Sequence, residues 1–192
     1  MRYAKIERNT KETKIICSLS IDGSGKNDIS TGIDFFDHML SGFAVHSSFD
    51  ISLTCKGDLA VDCHHTVEDV GIVLGQCFLQ ALGDKVGIER MSSIFVPMDE
   101  TLSRCALDIS GRAFLNFSCN FTHRIVGTFE LSMVEEFLRA FCFNAQICAH
   151  ISNEYGSNDH HKAESIFKSL ARCLKAASKI SSNEVISSKG VL

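Results

Sequence analysis

The chain has 192 residues, a formal net charge of −4, 45% hydrophobic residues and 22% charged ones. That balance describes one folded domain, or two small halves sharing a core, and excludes a disordered or collagen-like chain. With a pI near 6.0 there is no broad basic surface for nucleic acid or an anionic membrane, so any anionic ligand must be met locally.

From the start of the chain, residues 2–8 and 13–21 alternate apolar and polar positions and predict two strands, with Asp22-Gly23-Ser24-Gly25 as a turn. Residues 35–45 predict a helix, 51–55 a strand, Gly57-Asp58 a turn, and 59–62 an extended approach. A long amphipathic helix follows over 64–82, closed by Gly83. The same ββαβα order is read further on: strands near 101–109 and 114–121, a helix over 131–144, a strand near 146–152 and a helix over 160–179.

Each final helix opens on a related motif, HHTVED at 64–69 and HHKAES at 160–165. The offset of 96 residues is half the chain, which points to an internal duplication. The expected architecture is therefore α+β: two ββαβα halves, 1–90 and 91–192 with the C-terminal SSKG tail, each a sheet covered by two helices, packed as one compact unit.

The N-terminal MRYAKIERNTKETK is charged where a signal peptide is apolar, and no apolar run reaches membrane-spanning length, so a cytoplasmic protein is expected. Nine cysteines at 17, 55, 63, 77, 105, 119, 142, 148 and 173 include no CxxC pair, and read as reduced, mostly buried small hydrophobes.

The chemistry is carried by the two HHxxE segments. On a helix, residues four apart lie about 40° apart around the axis and residues three apart about 60°, so Glu68 shares a face with His64 or His65, and Glu164 with His160 or His161. Adjacent histidines point about 100° apart, so each pair more naturally serves two metal ions than one. Imidazole and carboxylate together suit Mn, Fe, Zn, Ni or Co. His38 in FFDHML and His150 in AQICAHI are candidates to complete the ligand shells, while His46 and His123 carry no motif. Arg112, Arg124 and Lys189 offer contacts to an anionic substrate. DGSGK at 22–26 lacks P-loop spacing and reads as a hairpin turn.

The segments FFDHML, DCHHTVEDVGIVLG, PMDETLSRCALDISGR, HRIVGTFE, NDHHKAESIFKSLARCLKAA and SSKGVL recur in order in one known family. Over nearly its whole length the chain resembles the imidazoleglycerol-phosphate dehydratase family of histidine biosynthesis. The resemblance implies a duplicated fold (ribosomal protein S5 domain 2-like), a homo-oligomeric 24-subunit cage, and two divalent metal ions, manganese in the family, at each active site between neighbouring subunits. It implies the metal ligands His38, His64, His65, Glu68, His150, His160, His161 and Glu164. Glu12, Arg112, Arg124, Ser187, Ser188 and Lys189 would meet the substrate and its phosphate.

The implied reaction converts D-erythro-imidazole-glycerol phosphate to imidazole-acetol phosphate. The proton to be lost sits on carbon and is hardly acidic, so metals on both ring nitrogens would stabilise an imidazolate whose electrons expel the neighbouring hydroxyl. The catalytic group would comprise Glu68, Glu164, His65 and His161, with Glu68 or Glu164 as the proton-transferring carboxylate. The chain departs from the family pattern at Cys63, in place of Asp or Asn, at Ala113, in place of proline, and at Ser41-Gly42, in place of an acidic-Gln pair. The same ligand types would also serve a dimetal hydrolase of a phosphorylated small molecule, or a metal-dependent assembly protein without turnover.

Overall fold

The computed structural model describes every residue except Val191, which falls in the terminal SSKGVL segment. In chain order the elements are β1 (Tyr3–Asn9), β2 (Thr13–Ser20), β3 (Asn27–Ser30), α1 (Asp34–Ser47), β4 (Asp50–Gly57) and α2 (His64–Leu82). Then come β5 (Met91–Met98), β6 (Thr101–Asp108), β7 (Phe114–Ser118), β8 (Ile125–Val126), β9 (Phe129–Glu130), α3 (Met133–Ala145), β10 (Cys148–Tyr155) and α4 (Asp159–Ala177).

The duplication is visible in the sheets. One has the order β1-β2-β4-β3 and the other β5-β6-β10-β7, with the last pair parallel in each and the others antiparallel. Alternation sets the faces: Thr13, Ile15, Cys17 and Leu19 of β2 are buried, while Lys14 and Ile16 point out. Helices α1 and α2 cover the first sheet and α3 and α4 the second. The two helical layers meet through α2 on α3 and α1 on α4, so the core lies in the middle and each sheet keeps one outer face bare.

The closest helix crossing depends on glycine. A Cβ on Gly71 would sit 2.9 Å from the Phe137 carbonyl oxygen, and one on Gly75 only 2.5 Å from that of Phe141. Around this crossing Phe36, Phe43, Phe78, Phe137, Phe141 and Phe167 are fully buried, and Phe36 packs edge-on against Phe137 at 5.4 Å, joining the two halves.

The α+β expectation with duplicated halves holds, but there are further strands: β3 in the first half, and β5 and the short β8–β9 pair in the second. β3 reads NDIS, too short and polar to show alternation. β5 contains Pro97, the only proline, and two exposed apolar side chains, Met91 and Phe95, which mask its pattern. Proline is tolerated there because β5 is an edge strand. The segment expected as the second strand of the second half is therefore its parallel edge strand, β7, and it stops at Ser118 rather than 121.

Residues 59–61, expected as extended, form a turn in which Val61 N–H donates to the Asp58 carbonyl at 2.8 Å. β10 starts at Cys148 because Gln146 caps α3 in the left-handed region at φ 54°. All nine thiols are free. Cys17, Cys55, Cys77, Cys105, Cys142 and Cys173 are buried, and Cys63, Cys119 and Cys148 partly so.

Candidate active site

The site is assembled at the first turns of α2 and α4, where the sequence puts an acceptor just ahead of each histidine pair. The Asn158 side chain accepts from the amides of His160 (2.9 Å) and His161 (3.4 Å), and Asp62 accepts from the His64 amide at 2.8 Å. Asp62 stands at the place matching Asn158, and Cys63, which makes no cap bond, at the place matching Asp159. Within each pair the rings diverge as helix geometry requires: 6.3 Å apart at 78° for His64 and His65, 6.0 Å at 79° for His160 and His161.

At α4, His160 Nε2 lies 3.2 Å and His38 Nε2 3.4 Å from the same oxygen of Glu164, Oε2. The other oxygen, Oε1, is 2.6 Å from Lys168 Nζ. Burial pushes the Glu164 carboxyl up, but Lys168 and His38 hold it below its ordinary range. His38 is brought here by α1, whose start is braced where Asp37 accepts from the Thr31 amide (2.9 Å) and hydroxyl (2.5 Å). Phe35 packs edge-on against His160 at 5.0 Å. The ligand atoms of His38, His160 and Glu164 all lie within 4.8 Å of one another, the one such group among the described residues, and their nitrogen and oxygen donors fit a divalent metal.

The second nitrogen-bearing ring of this pair is held separately. His161 Nδ1 lies 2.8 Å from Glu100 Oε2, and Glu100 also accepts from the amides of Ser157 and Asn158. His161 and the Asn158 amide hold the Glu100 carboxyl down at about 2.

At α2 the arrangement is similar but looser. His64 Nε2 is 3.8 Å from Glu68 Oε2; His65 Nδ1 is 3.0 Å from Asp58, which raises the affinity of that ring for a proton, and His65 Nε2 is 3.8 Å from Glu12. Glu12 and Glu100 are matched: each immediately precedes the first residue of β2 or β6, and each faces the second histidine of its half.

Apart from Arg124, which follows His123 beside the α4 turn, the remaining expected residues are not gathered at either turn. His150 points out from β10 and packs on Phe114 at 5.6 Å, on the bare face of the second sheet. Arg124 is exposed on the β8–β9 side and pairs with Glu130 at 3.1 Å. Ser187, Ser188 and Lys189 lie in the tail, which returns along residues 87–90: Gly87 N–H donates to the Glu184 carbonyl at 3.1 Å, and Arg90 Nη1 to that of Ile186 at 2.7 Å. Arg90 also forks onto Asp108 at 2.7 and 3.0 Å, the end of the strand leading to Arg112.

Sequence reading missed Glu100, Asp159 and Arg90 because each works through contacts distant in the chain, and Asp58, seven residues before His65, because it reads as a turn residue. The one signal available for Glu100 was the acidic residue it shares with Glu12 ahead of a Thr-initiated strand.

Fold and site together define a class: a duplicated α+β protein with a His-His-x-x-Glu turn opening the last helix of each half. A family model described as imidazoleglycerol-phosphate dehydratase matches residues 31–174. Imidazoleglycerol-phosphate dehydratases of Clostridioides difficile and Clostridium botulinum are each 54% identical over 192 residues, covering all of this chain and 100% and 98% of theirs. The crystal structure of the Staphylococcus aureus enzyme superposes with a TM-score of 0.83 at 39% identity, covering 91% of this chain and 97% of that one. That of IGPD from Pyrococcus furiosus gives 0.83 at 34%, covering 97% and 100%. The chain belongs to the imidazoleglycerol-phosphate dehydratase family, and is a hydro-lyase of that kind.

Proposed function

We propose that this chain dehydrates D-erythro-imidazole-glycerol phosphate to imidazole-acetol phosphate, using divalent metal held by the two HHxxE turns. The convergence of His38, His160 and Glu164 within 4.8 Å carries the metal reading. His64, His65, Glu68, His150 and His161 are the further ligands. Bound metal, manganese by family resemblance, would supply Lewis-acid stabilisation of negative charge on the substrate ring. Lys168 fixes Glu164 so that one oxygen only faces the ligand position. Glu68, half exposed and 3.8 Å from its one histidine neighbour, is the freer carboxylate and the better candidate to move the proton. Glu12, beside His65, faces the substrate.

Arg112, Ser187, Ser188 and Lys189 would receive the phosphate, yet they belong to the other end of the molecule. The tail follows the C-terminus of α4, whereas His160 opens it, and a 19-residue helix is about 28 Å long. A small phosphorylated substrate cannot span that length. Its metal contacts and those of Arg112 and the tail must then come from different copies, with Arg124 on the metal-bearing one, and the outward His150 on an apolar sheet face with exposed Met91, Phe95 and Phe114 supports the same reading. We therefore favour a homo-oligomer with sites between subunits, the 24-subunit cage of the family, acting in the cytoplasm.

The test is turnover by protein stripped of metal and refilled with Mn²⁺, beside a His65→Ala, His161→Ala double variant. Restored activity in the unmodified protein alone supports the reading. Metal binding without product would overturn it.

A further inference from the structure

Asp159 and Cys63 occupy matched places, each directly before a His-His pair. Only Asp159 is charged, and it is 3% exposed. A cap does not explain that burial, because Asn158 already caps α4. Desolvating a carboxylate is costly, so its partners indicate its use. Oδ2 accepts four hydrogen bonds from two residues: Thr122 N (2.9 Å) and Oγ1 (2.8 Å), and His123 N (2.6 Å) and Nδ1 (2.8 Å). Oδ1 takes the Lys162 ammonium at 2.8 Å, and Lys162 donates again to the Asn120 carbonyl at 2.9 Å.

The fastened segment leads straight into Arg124 and the β8–β9 hairpin, which has no counterpart in the first half, where Cys63 stands. Between hairpin and helix runs an open groove lined by His123, Ile125, Ser157 and His160. We infer that Asp159 is a positioning residue, which ties the segment carrying Arg124, a substrate contact on the dehydratase reading, to the metal-binding turn and so fixes its register with His160. This rests on the dehydratase reading above.

The test compares Asp159→Asn, Arg124→Gln and their combination in the assembled, Mn²⁺-loaded protein, with hydrogen exchange at the Thr122 and His123 amides as an activity-independent readout. Asp159→Asn is expected to raise KM roughly tenfold with kcat within about twofold, a split that a general loss of fold would not give. Arg124→Gln should do the same, the double variant should be no worse than the larger single effect, and Asp159→Asn should lose exchange protection at both amides. Thr122→Val, which leaves the Asp159–Lys162 pair intact, should show a smaller version if Asp159→Asn fails to fold.

Unchanged KM, or KM increases that multiply in the double variant, overturns the positioning role alone. Absence of turnover in the unmodified protein overturns the dehydratase reading and the KM consequence with it, while retained exchange protection in Asp159→Asn overturns the fastening itself.

Discussion

Lys168 sits one helical turn beyond Glu164 and holds one of its oxygens at 2.6 Å, leaving the other turned to His38 and His160. A metal-binding carboxylate fixed from behind loses less freedom on binding. Lys168→Met is therefore expected to weaken Mn²⁺ binding by roughly tenfold or more while secondary structure is kept. Titration calorimetry on metal-stripped protein reads this directly, and an unchanged Kd would show that Lys168 does not orient the ligand.

Two helical glycines should respond in opposite directions to the same change. At Gly75 a Cβ would press on the Phe141 carbonyl at 2.5 Å and the Ala145 amide at 3.1 Å, both backbone, so Gly75→Ala should cost about 1–3 kcal/mol. At Gly42 a Cβ meets nothing within 4 Å, and Gly42→Ala should gain about 0.4–1 kcal/mol by restricting the unfolded chain. Urea unfolding of both variants checks the pair, and equal effects would refute the packing argument.

Asp69, 6% exposed, accepts from the Thr13 hydroxyl and from Arg8 at 3.0 Å, joining the β1–β2 end to the first turns of α2. Asp69→Ala strands these donors and should cost about 1.5–3 kcal/mol. Because Thr13 adjoins Glu12, the loss should also disturb the His65 end of the site, visible as a rise in KM larger than that of Thr13→Val.

Asp22 gives a pH dependence with a definite sign. Its hydrogen bond from Arg2 holds the carboxyl below its ordinary value, so the folded pKa is depressed. The stabilisation is present above the unfolded pKa of about 4 and is lost as the pH falls through the lower folded value. Asp22→Asn should thus be less stable than the unmodified protein at pH 6, with the gap closing below about pH 4. A gap independent of pH would assign the effect to shape rather than charge.

The halves of the fold were legible because the long helices and the inner strands β2, β4, β6 and β10 carry strong periodicities. Of the edge strands, β1 and β7 were read as strands but β3 and β5 were not: β3 is four polar-rich residues, and β5 hides its pattern by exposing Met91 and Phe95 on a face that solvent exposure alone would not select. The histidines and glutamates of both turns were legible from i to i+4 spacing. Glu100 and Asp159 were not, since each acts on residues 36 to 61 positions away that only the folded chain brings within bonding distance.

The separation along α4 also decides how damaged chains would behave together. If metal turn and basic tail serve different sites, a chain crippled by His160→Ala and one crippled by Lys189→Ala, each inert as a pure assembly, still carry one sound end apiece. Mixed during refolding, they would build some sites from two sound ends, and activity would reappear in a population of genes that are each individually dead.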